Sequence, residues 1–242
     1  MNDLETFFHS NSGRMMHKWS HYFDIYDHHF ARFRGTEVNI LEFGVNHGGS
    51  LQMWKDYFGK HAKIYGVDLN THCKKLEEEN IEIFIADQSD LESLKELSLK
   101  LPEIDILIDD GGHMMNHQIN TFNVFFEKVK DGGVYLCEDT HTSYWKRFGG
   151  GYRNNQSFIE FTKKIIDDLH AYHSESKEHK ASNLTHQINS INFYDSVVAL
   201  EKKSRNKPEP LTTGNRSIPF LSAQYPSLSK FGLWDIPMKD EM

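Results

Sequence analysis

The chain has 242 residues and a formal net charge of −8, with 27 Lys and Arg against 35 Asp and Glu. That length and a hydrophobic share of 38% suffice for one α/β domain with appendages, and the scattered basic residues argue against a nucleic-acid surface. No run approaches a membrane span, the first residues lack the apolar core of a signal peptide, and Cys73 and Cys137 form no CxxC pair. The expectation is a cytoplasmic chain with neither a nucleic-acid nor a membrane partner.

Residues 1–35 form an N-terminal segment. Within it Trp19, Tyr22, Phe23, Tyr26 and Phe30 recur at helical spacing, predicting a helix over His17–Phe33. Its aromatics suit a side helix or lid. His17, His21, His28 and His29 have neither a carboxylate-rich nor a cysteine partner beside them, so packing or solvation explains them better than a metal.

Val38–Val45 reads as the first strand, followed by the turn Val45-Asn46-His47-Gly48-Gly49-Ser50 and an apolar helix, Leu51–Phe58. A strand, a glycine-rich turn and a helix N-terminus form a cradle for a polar ligand, with Gly44 permitting close backbone approach. The spacing from Gly44 to Gly48-Gly49 is not the G-x-G-x-x-G of dinucleotide sites, which disfavours a nicotinamide oxidoreductase. The next strands, Lys63–Val67 and Ile81–Ala86, end in Asp68 and Asp87, and an amphipathic helix, Leu91–Leu101, follows. Asp68 stands near the interval at which an acid meets a ribose hydroxyl in α/β cofactor sites. Each acid singly also suits a helix cap. Four successive strand ends carrying acid or glycine are more than capping explains.

The stretch from Ile104 to Trp145 organises the rest. Ile104–Ile108 and Gly133–Cys137 are short apolar runs, as buried parallel strands should be, and they end in Asp109-Asp110 and Glu138-Asp139. Between them Met114, Ile119, Phe122, Phe125, Phe126 and Val129 recur at helical spacing. A strand–helix–strand crossover sets the two acidic ends side by side, about 5 Å apart, where ligands of open α/β sheets bind. Carboxylates gathered there repel one another unless a cation sits among them, so the pattern reads as a metal site. An all-oxygen donor set suits Mg²⁺ and disfavours zinc. His113, three residues after Asp110, can face the same cleft and accept a proton. His117 and His141 are the other imidazoles near it.

Beyond a glycine run at 149–151, a helix is expected over about 156–172, then a polar loop, His173–Asn183, and an antiparallel hairpin of Ile188–Tyr194 with Val197–Lys202. From Ser204 onward lie five of the six prolines. Segment 204–242 is expected to be irregular, packing across the domain or a neighbouring subunit through Phe220, Leu221, Phe231, Leu233 and Trp234. The expected division is therefore 1–35, 36–203 and 204–242.

The ordered Glu42-Phe43-Gly44, Gly48-Gly49-Ser50, Asp68 and Asp87 resemble the cofactor motifs of class I S-adenosylmethionine-dependent methyltransferases. Asp109-Asp110-Gly111-Gly112-His113, His117-Gln118, Gly132-Gly133-Val134-Tyr135, Glu138-Asp139 and Thr142-Ser143-Tyr144-Trp145 narrow the likeness. They resemble the metal-dependent sugar O-methyltransferases of the macrocin, mycinamicin and rhamnosyl type. The likeness covers roughly residues 14–202, with Gly112 where those enzymes commonly carry Ser. It implies a Rossmann-like, seven-stranded, mostly parallel sheet with a terminal antiparallel hairpin and helices on both faces. It implies S-adenosylmethionine held by Glu42, Gly44, Ser50, Asp68, Asp87 and Asp109, with Mg²⁺ on Asp110, Glu138 and Asp139. His113 would be the catalytic base, a hydroxyl of a sugar or glycosylated small molecule the acceptor, and a homo-oligomer the assembly. The competing readings are a catechol-like or β-lactam acceptor, or a cofactor-binding partner subunit without turnover.

Overall fold

Apolar runs closed by Asp or Gly define the sheet. In the computed structural model, which describes residues 1–215, the strands are β1 (Asn39–Phe43), β2 (Lys63–Asp68), β3 (Ile81–Ile85), β4 (Ile104–Asp109), β5 (Val129–Cys137), β6 (Ile188–Tyr194) and β7 (Val197–Lys202). They form one sheet in the order β3-β2-β1-β4-β5-β7-β6. Strands β1 to β5 pair in parallel, and β7 runs antiparallel to β5 and β6. This is the expected architecture. The order reverses between β1 and β4, the switch point beyond whose carboxyl ends ligands bind in such sheets.

The helices are α1 (Asp3–Ser10), α2 (Tyr22–Phe30), α3 (Gly49–Phe58), α4 (Leu91–Lys100), α5 (Met115–Phe125), α6 (Phe158–His170) and α7 (Asn183–Gln187). Alternate strand residues point to opposite faces, and two apolar cores result. Ile40, Ile106, Ile108, Val134 and Leu136 join the aromatics of α2 and α3 in one, while Leu41, Phe43, Leu107 and Tyr135 join α4, α5 and α6 in the other. Tyr26, Phe30, Trp54 and Phe58 contact one another ring to ring and fasten α2 onto α3.

The N-terminal segment departs from the single predicted helix. Asn2 caps α1 by accepting the Glu5 N–H at 3.0 Å. Residues 11–20 carry no helix, α2 begins only at Tyr22, and a 3-10 turn follows at Ala31–Phe33. The side chains just before α2 are engaged at the carboxyl ends of the sheet instead. A short α7, started by a reciprocal Ser182–Thr185 capping box, follows the polar loop.

The described chain divides at a unit boundary between Lys207 and Pro208. The expected packing through Phe220, Leu221, Phe231, Leu233 and Trp234 lies outside the described residues. No helix among the described residues is long and apolar enough to cross a membrane.

Candidate active site

Register brings the two acid pairs together. Asp109 pairs with Cys137, so Asp110 and Glu138 leave β4 and β5 side by side. The ladder runs one step further, with Asp110 N–H donating to the Phe43 carbonyl at 3.0 Å and Glu138 N–H to that of Asp109 at 2.9 Å. The chain then turns sharply. His113 (φ 53°), Asp139 (φ 53°) and Asn46 (φ 49°) are all left-handed, a conformation that costs a non-glycine residue about 1–3 kcal/mol. Strain of this kind at three adjoining strand ends marks a place where side-chain chemistry overrides backbone preference.

A lysine occupies the acid cluster. Lys18 Nζ donates to Asp110 Oδ2 at 2.7 Å and to Glu138 Oε1 and Oε2 at 3.1 and 3.0 Å. It also lies 3.6 Å from Glu42 Oε1. Tyr26 O–H donates to Glu138 Oε1 at 2.6 Å. Burial alone would lower the Lys18 pKa, but the charges of Asp110, Glu138 and Glu42 outweigh it and hold the ammonium well above its ordinary value. The same burial pushes Glu42 up to about 7, and burial with the nearby Asp110 charge holds Glu138 well above the carboxylate range. One ammonium faces three carboxylates, so the cluster is short of positive charge.

Asp139 sits at the mouth of this pocket. Its Oδ1 accepts from Tyr22 O–H at 2.7 Å and from Trp19 Nε1 at 3.2 Å, while Oδ2 stands 3.5 Å from His113 Nε2. His113 Nε2 is 4.0 Å from Asp110 Oδ1. Among the described residues, ligand atoms of Asp110, His113 and Asp139 gather within 4.8 Å of one another. The sequence reading put Glu138 in that trio. The structure sets Glu138 deeper, on Lys18 and Tyr26, and brings His113 in beside the two aspartates. The donor chemistry still fits a hard divalent cation, because oxygen donors dominate and charge is lacking.

The other half of the cleft is built from the ends of β1, β2 and β3. Gly44 (φ +94°) is obligatory, since a Cβ there would lie 2.0 Å from the Asp110 carbonyl oxygen. Asp68 Oδ2 accepts the Val45 and Asn46 N–H groups, each at 3.0 Å, and Oδ1 accepts the Asn70 N–H at 2.8 Å. Asp87 accepts the Ser89 N–H at 2.7 Å, which holds its carboxyl below the usual range. Gly44, Asp68, Asp87, Asp110, His113, Glu138 and Asp139 line one cleft of about 760 Å³, within the roughly 300–1,000 Å³ typical of small-molecule sites.

Three of the expected cofactor residues, Glu42, Ser50 and Asp109, lie behind this wall. Glu42 is fully buried and accepts from Ser50 Oγ at 2.9 Å and Trp54 Nε1 at 3.1 Å, so the Ser50 hydroxyl is spent on Glu42. Asp109 is buried beneath Gln88, whose Nε2 donates to it at 2.8 Å and to Thr121 Oγ1 at 2.8 Å. Gln88 Oε1 in turn accepts the Gly112 N–H at 2.8 Å, fixing the turn that carries His113.

The other imidazoles have different surroundings. His117 packs on Gly112, where a Cβ would meet its Nδ1 at 2.3 Å. Its ring thus fills the space a Ser side chain at 112 would need, and burial lowers its pKa. His141 stands edge-on between Trp19 and Trp145, at 5.9 and 4.7 Å between ring centres.

Lys18, Trp19, Tyr22, Tyr26 and Gln88 were missed as site residues. The signal was present for two of them: Tyr22 and Tyr26 are spaced by four on α2, each with a polar tip on an otherwise apolar aromatic face.

Strand order, glycine cradle and acid-tipped β2 to β5 are those of a class I methyltransferase fold. A family described as a methyltransferase domain matches residues 41–140 of the chain. It is 35% identical over 190 residues to an 8-demethyl-8-alpha-L-rhamnosyl tetracenomycin-C 2'-O-methyltransferase of Streptomyces olivaceus, covering 75% of this chain and 50% of that protein. Identity is 33% over 188 residues to the demethylmacrocin O-methyltransferase of Streptomyces fradiae, covering 73% of this chain and 47% of that protein. Among solved structures, it resembles the MycE methyltransferase of the mycinamycin biosynthetic pathway, in complex with Mg, SAH and mycinamycin VI. That match has a TM-score of 0.77 at 28% identity, over 95% of this chain and 58% of that one. The chain spans about half the length of the curated relatives it matches.

Proposed function

We propose that the chain transfers a methyl group from S-adenosylmethionine to a hydroxyl of a sugar or glycosylated small molecule, with Mg²⁺ as the metal. The observation that carries this reading is the charge-deficient cluster of Glu42, Asp110 and Glu138, with Asp139 and the His113 imidazole at its mouth, beside a glycine cradle. Gly44, Asp68 and Asp87 would hold the cofactor, which supplies the methyl group. Asp68 keeps a lone pair on Oδ1 for a ribose hydroxyl, and Gly44 leaves room for the cofactor against the backbone. Glu42, Ser50 and Asp109 support the cradle from behind.

Asp110, Asp139 and Glu138 would hold Mg²⁺, which when bound lowers the pKa of an acceptor hydroxyl and orients it. The hardness of Mg²⁺ favours these oxygens over the His113 imidazole. His113 Nε2 then takes the hydroxyl proton, and Asp139 Oδ2 beside it stabilises the imidazolium that forms. Trp19, bonded to Asp139, and Trp145, on the other side of His141, are exposed and offer apolar faces to a glycosylated acceptor. The same reading carries a homo-oligomer, to be tested by light scattering, and a cytoplasmic setting, which the buried free thiols of Cys73 and Cys137 suit.

The deciding experiment is a screen of glycosylated and free-sugar acceptors with methyl-labelled cofactor, with and without Mg²⁺. Label should enter a sugar hydroxyl only when metal is present. Full transfer by a metal-stripped sample would overturn the metal assignment, and transfer confined to catechol-like or β-lactam acceptors would overturn the substrate class.

A further inference from the structure

The acid pocket holds a cation of its own. Lys18 lies on a stretch without helix or strand, between α1 and α2. That stretch is pinned on both sides. Arg14 donates to the Leu76 carbonyl at 2.9 Å and pairs with Glu78 at 3.1 Å, and its own carbonyl lies so close to Gly49 that a Cβ there would stand 2.5 Å away. On the other side, Trp19 and Tyr22 are tied to Asp139. Between these anchors the Lys18 side chain is 2% exposed and points its ammonium into the carboxylates.

Its partners decide the matter. Lys18 engages Asp110 Oδ2 and both oxygens of Glu138, carboxylates of two of the three residues that would hold the divalent ion. Mg²⁺ takes oxygen ligands at about 2.0–2.1 Å in a near-octahedral shell. An ammonium hydrogen-bonded to the same oxygens stands inside that shell or against it. Two cations cannot both hold these atoms at full strength.

We infer that Lys18 is a tethered stand-in for the divalent cation: it neutralises the pocket before metal arrives and sets metal affinity by competing for Asp110 and Glu138. This rests on the metal reading above. Metal-free, the pocket keeps its shape because the ammonium supplies part of the missing charge. When metal enters, Lys18 yields oxygen ligands to it, so the affinity observed is the intrinsic one reduced by the work of moving Lys18. A lysine that served only as an internal ion pair would raise stability and leave metal binding untouched.

The test compares wild type, Lys18→Met and Lys18→Arg, measuring Mn²⁺ binding by calorimetry and electron paramagnetic resonance, and thermal unfolding with and without Mn²⁺. In Lys18→Met the unopposed carboxylates should lower the metal-free melting temperature by on the order of 10 °C. Mn²⁺ should bind on the order of tenfold tighter or more than to wild type, and should restore most of the lost stability. Lys18→Arg, which keeps the charge, should return both values toward wild type. If Lys18→Met does not fold alone, folding on addition of Mn²⁺ supports the inference, and failure to fold even then overturns it. A folded Lys18→Met with unchanged or weaker Mn²⁺ affinity also overturns it, while wild-type binding leaves the metal reading standing. Mn²⁺ binding by Lys18→Met but not by wild type would support Lys18 as the competitor and remove the metal from the proposed function. Binding by neither would overturn both.

Discussion

The two halves of the cleft handle negative charge in opposite ways. Around β1 to β3, Asp68 is met by three backbone N–H groups and Asp87 by one, so these acids are compensated by fixed dipoles. Around β4 and β5, Asp110, Glu138 and the neighbouring Glu42 share one ammonium on a long, flexible tether. Backbone amides cannot leave, but a lysine side chain can. The first half is thus built to receive the polar edge of a ligand without rearranging. The second is built around a cation that can be exchanged.

This contrast can be broken from either side. The largest effect should come from His113→Ala, with kcat falling by roughly 10²–10⁴ while affinity for S-adenosylhomocysteine and the melting temperature barely change. His117→Ala and His141→Ala should cost far less, because one ring packs on Gly112 and the other between two tryptophans. A His113→Ala enzyme within a few-fold of wild type would defeat the base assignment.

Asp68→Ala should do the reverse. Calorimetry should show S-adenosylhomocysteine binding weakened by about 1–3 kcal/mol through lost hydrogen bonds, with Mn²⁺ affinity unaltered. Equal cofactor affinity, or a preference for NAD, would sink the cofactor assignment. A smaller effect should come from Gly112→Ser, which crowds His117 and should cost about 1 kcal/mol of stability. Adding His117→Ala should recover it, and a double variant no more stable than the single one would show that the ring is not the obstacle.

The smallest effect is one of slope. Burial raises Glu42 to about 7 in the folded chain, whereas an unfolded-chain Glu titrates near ~4.3. The folded state therefore binds more protons across that window, and the stability Glu42 contributes falls as pH rises through it. Metal-free Glu42→Gln has no such proton to lose. Its melting temperature should fall less than that of wild type between about pH 5 and about pH 7.5. Parallel pH profiles for the two would count against a raised Glu42.

Most of the scaffold was legible because its signals are local. Short apolar runs ending in Asp, Glu or Gly marked the strands, and Asp110, Glu138 and Asp139 followed from the rule that ligands gather beyond strand ends. Lys18 was not legible, because a lysine beside an aromatic helix looks like a solvated charge. Nothing in its neighbours says that it reaches residues 92 and 120 positions away. The real positions of Glu42 and Asp109 escaped for a related reason. An acid at a strand end reads the same whether it faces the cleft or lies behind it, and only the partners Ser50, Trp54 and Gln88 distinguish the two. The short α1 was hidden by its brevity, with Asn2 as its one clear start signal.

The left-handed backbone at Asn46, His113 and Asp139 sets folding and chemistry against each other as the sequence drifts. Glycine would relax each of these turns, and His113 is the extreme case because its Nδ1 has no hydrogen-bond partner to lose. Replacing it with Gly would remove strain worth about 1 kcal/mol together with the imidazole proposed to accept the proton. Selection on thermostability alone would therefore enrich glycine at position 113, returning a sturdier protein in which the cleft still forms without the proposed base.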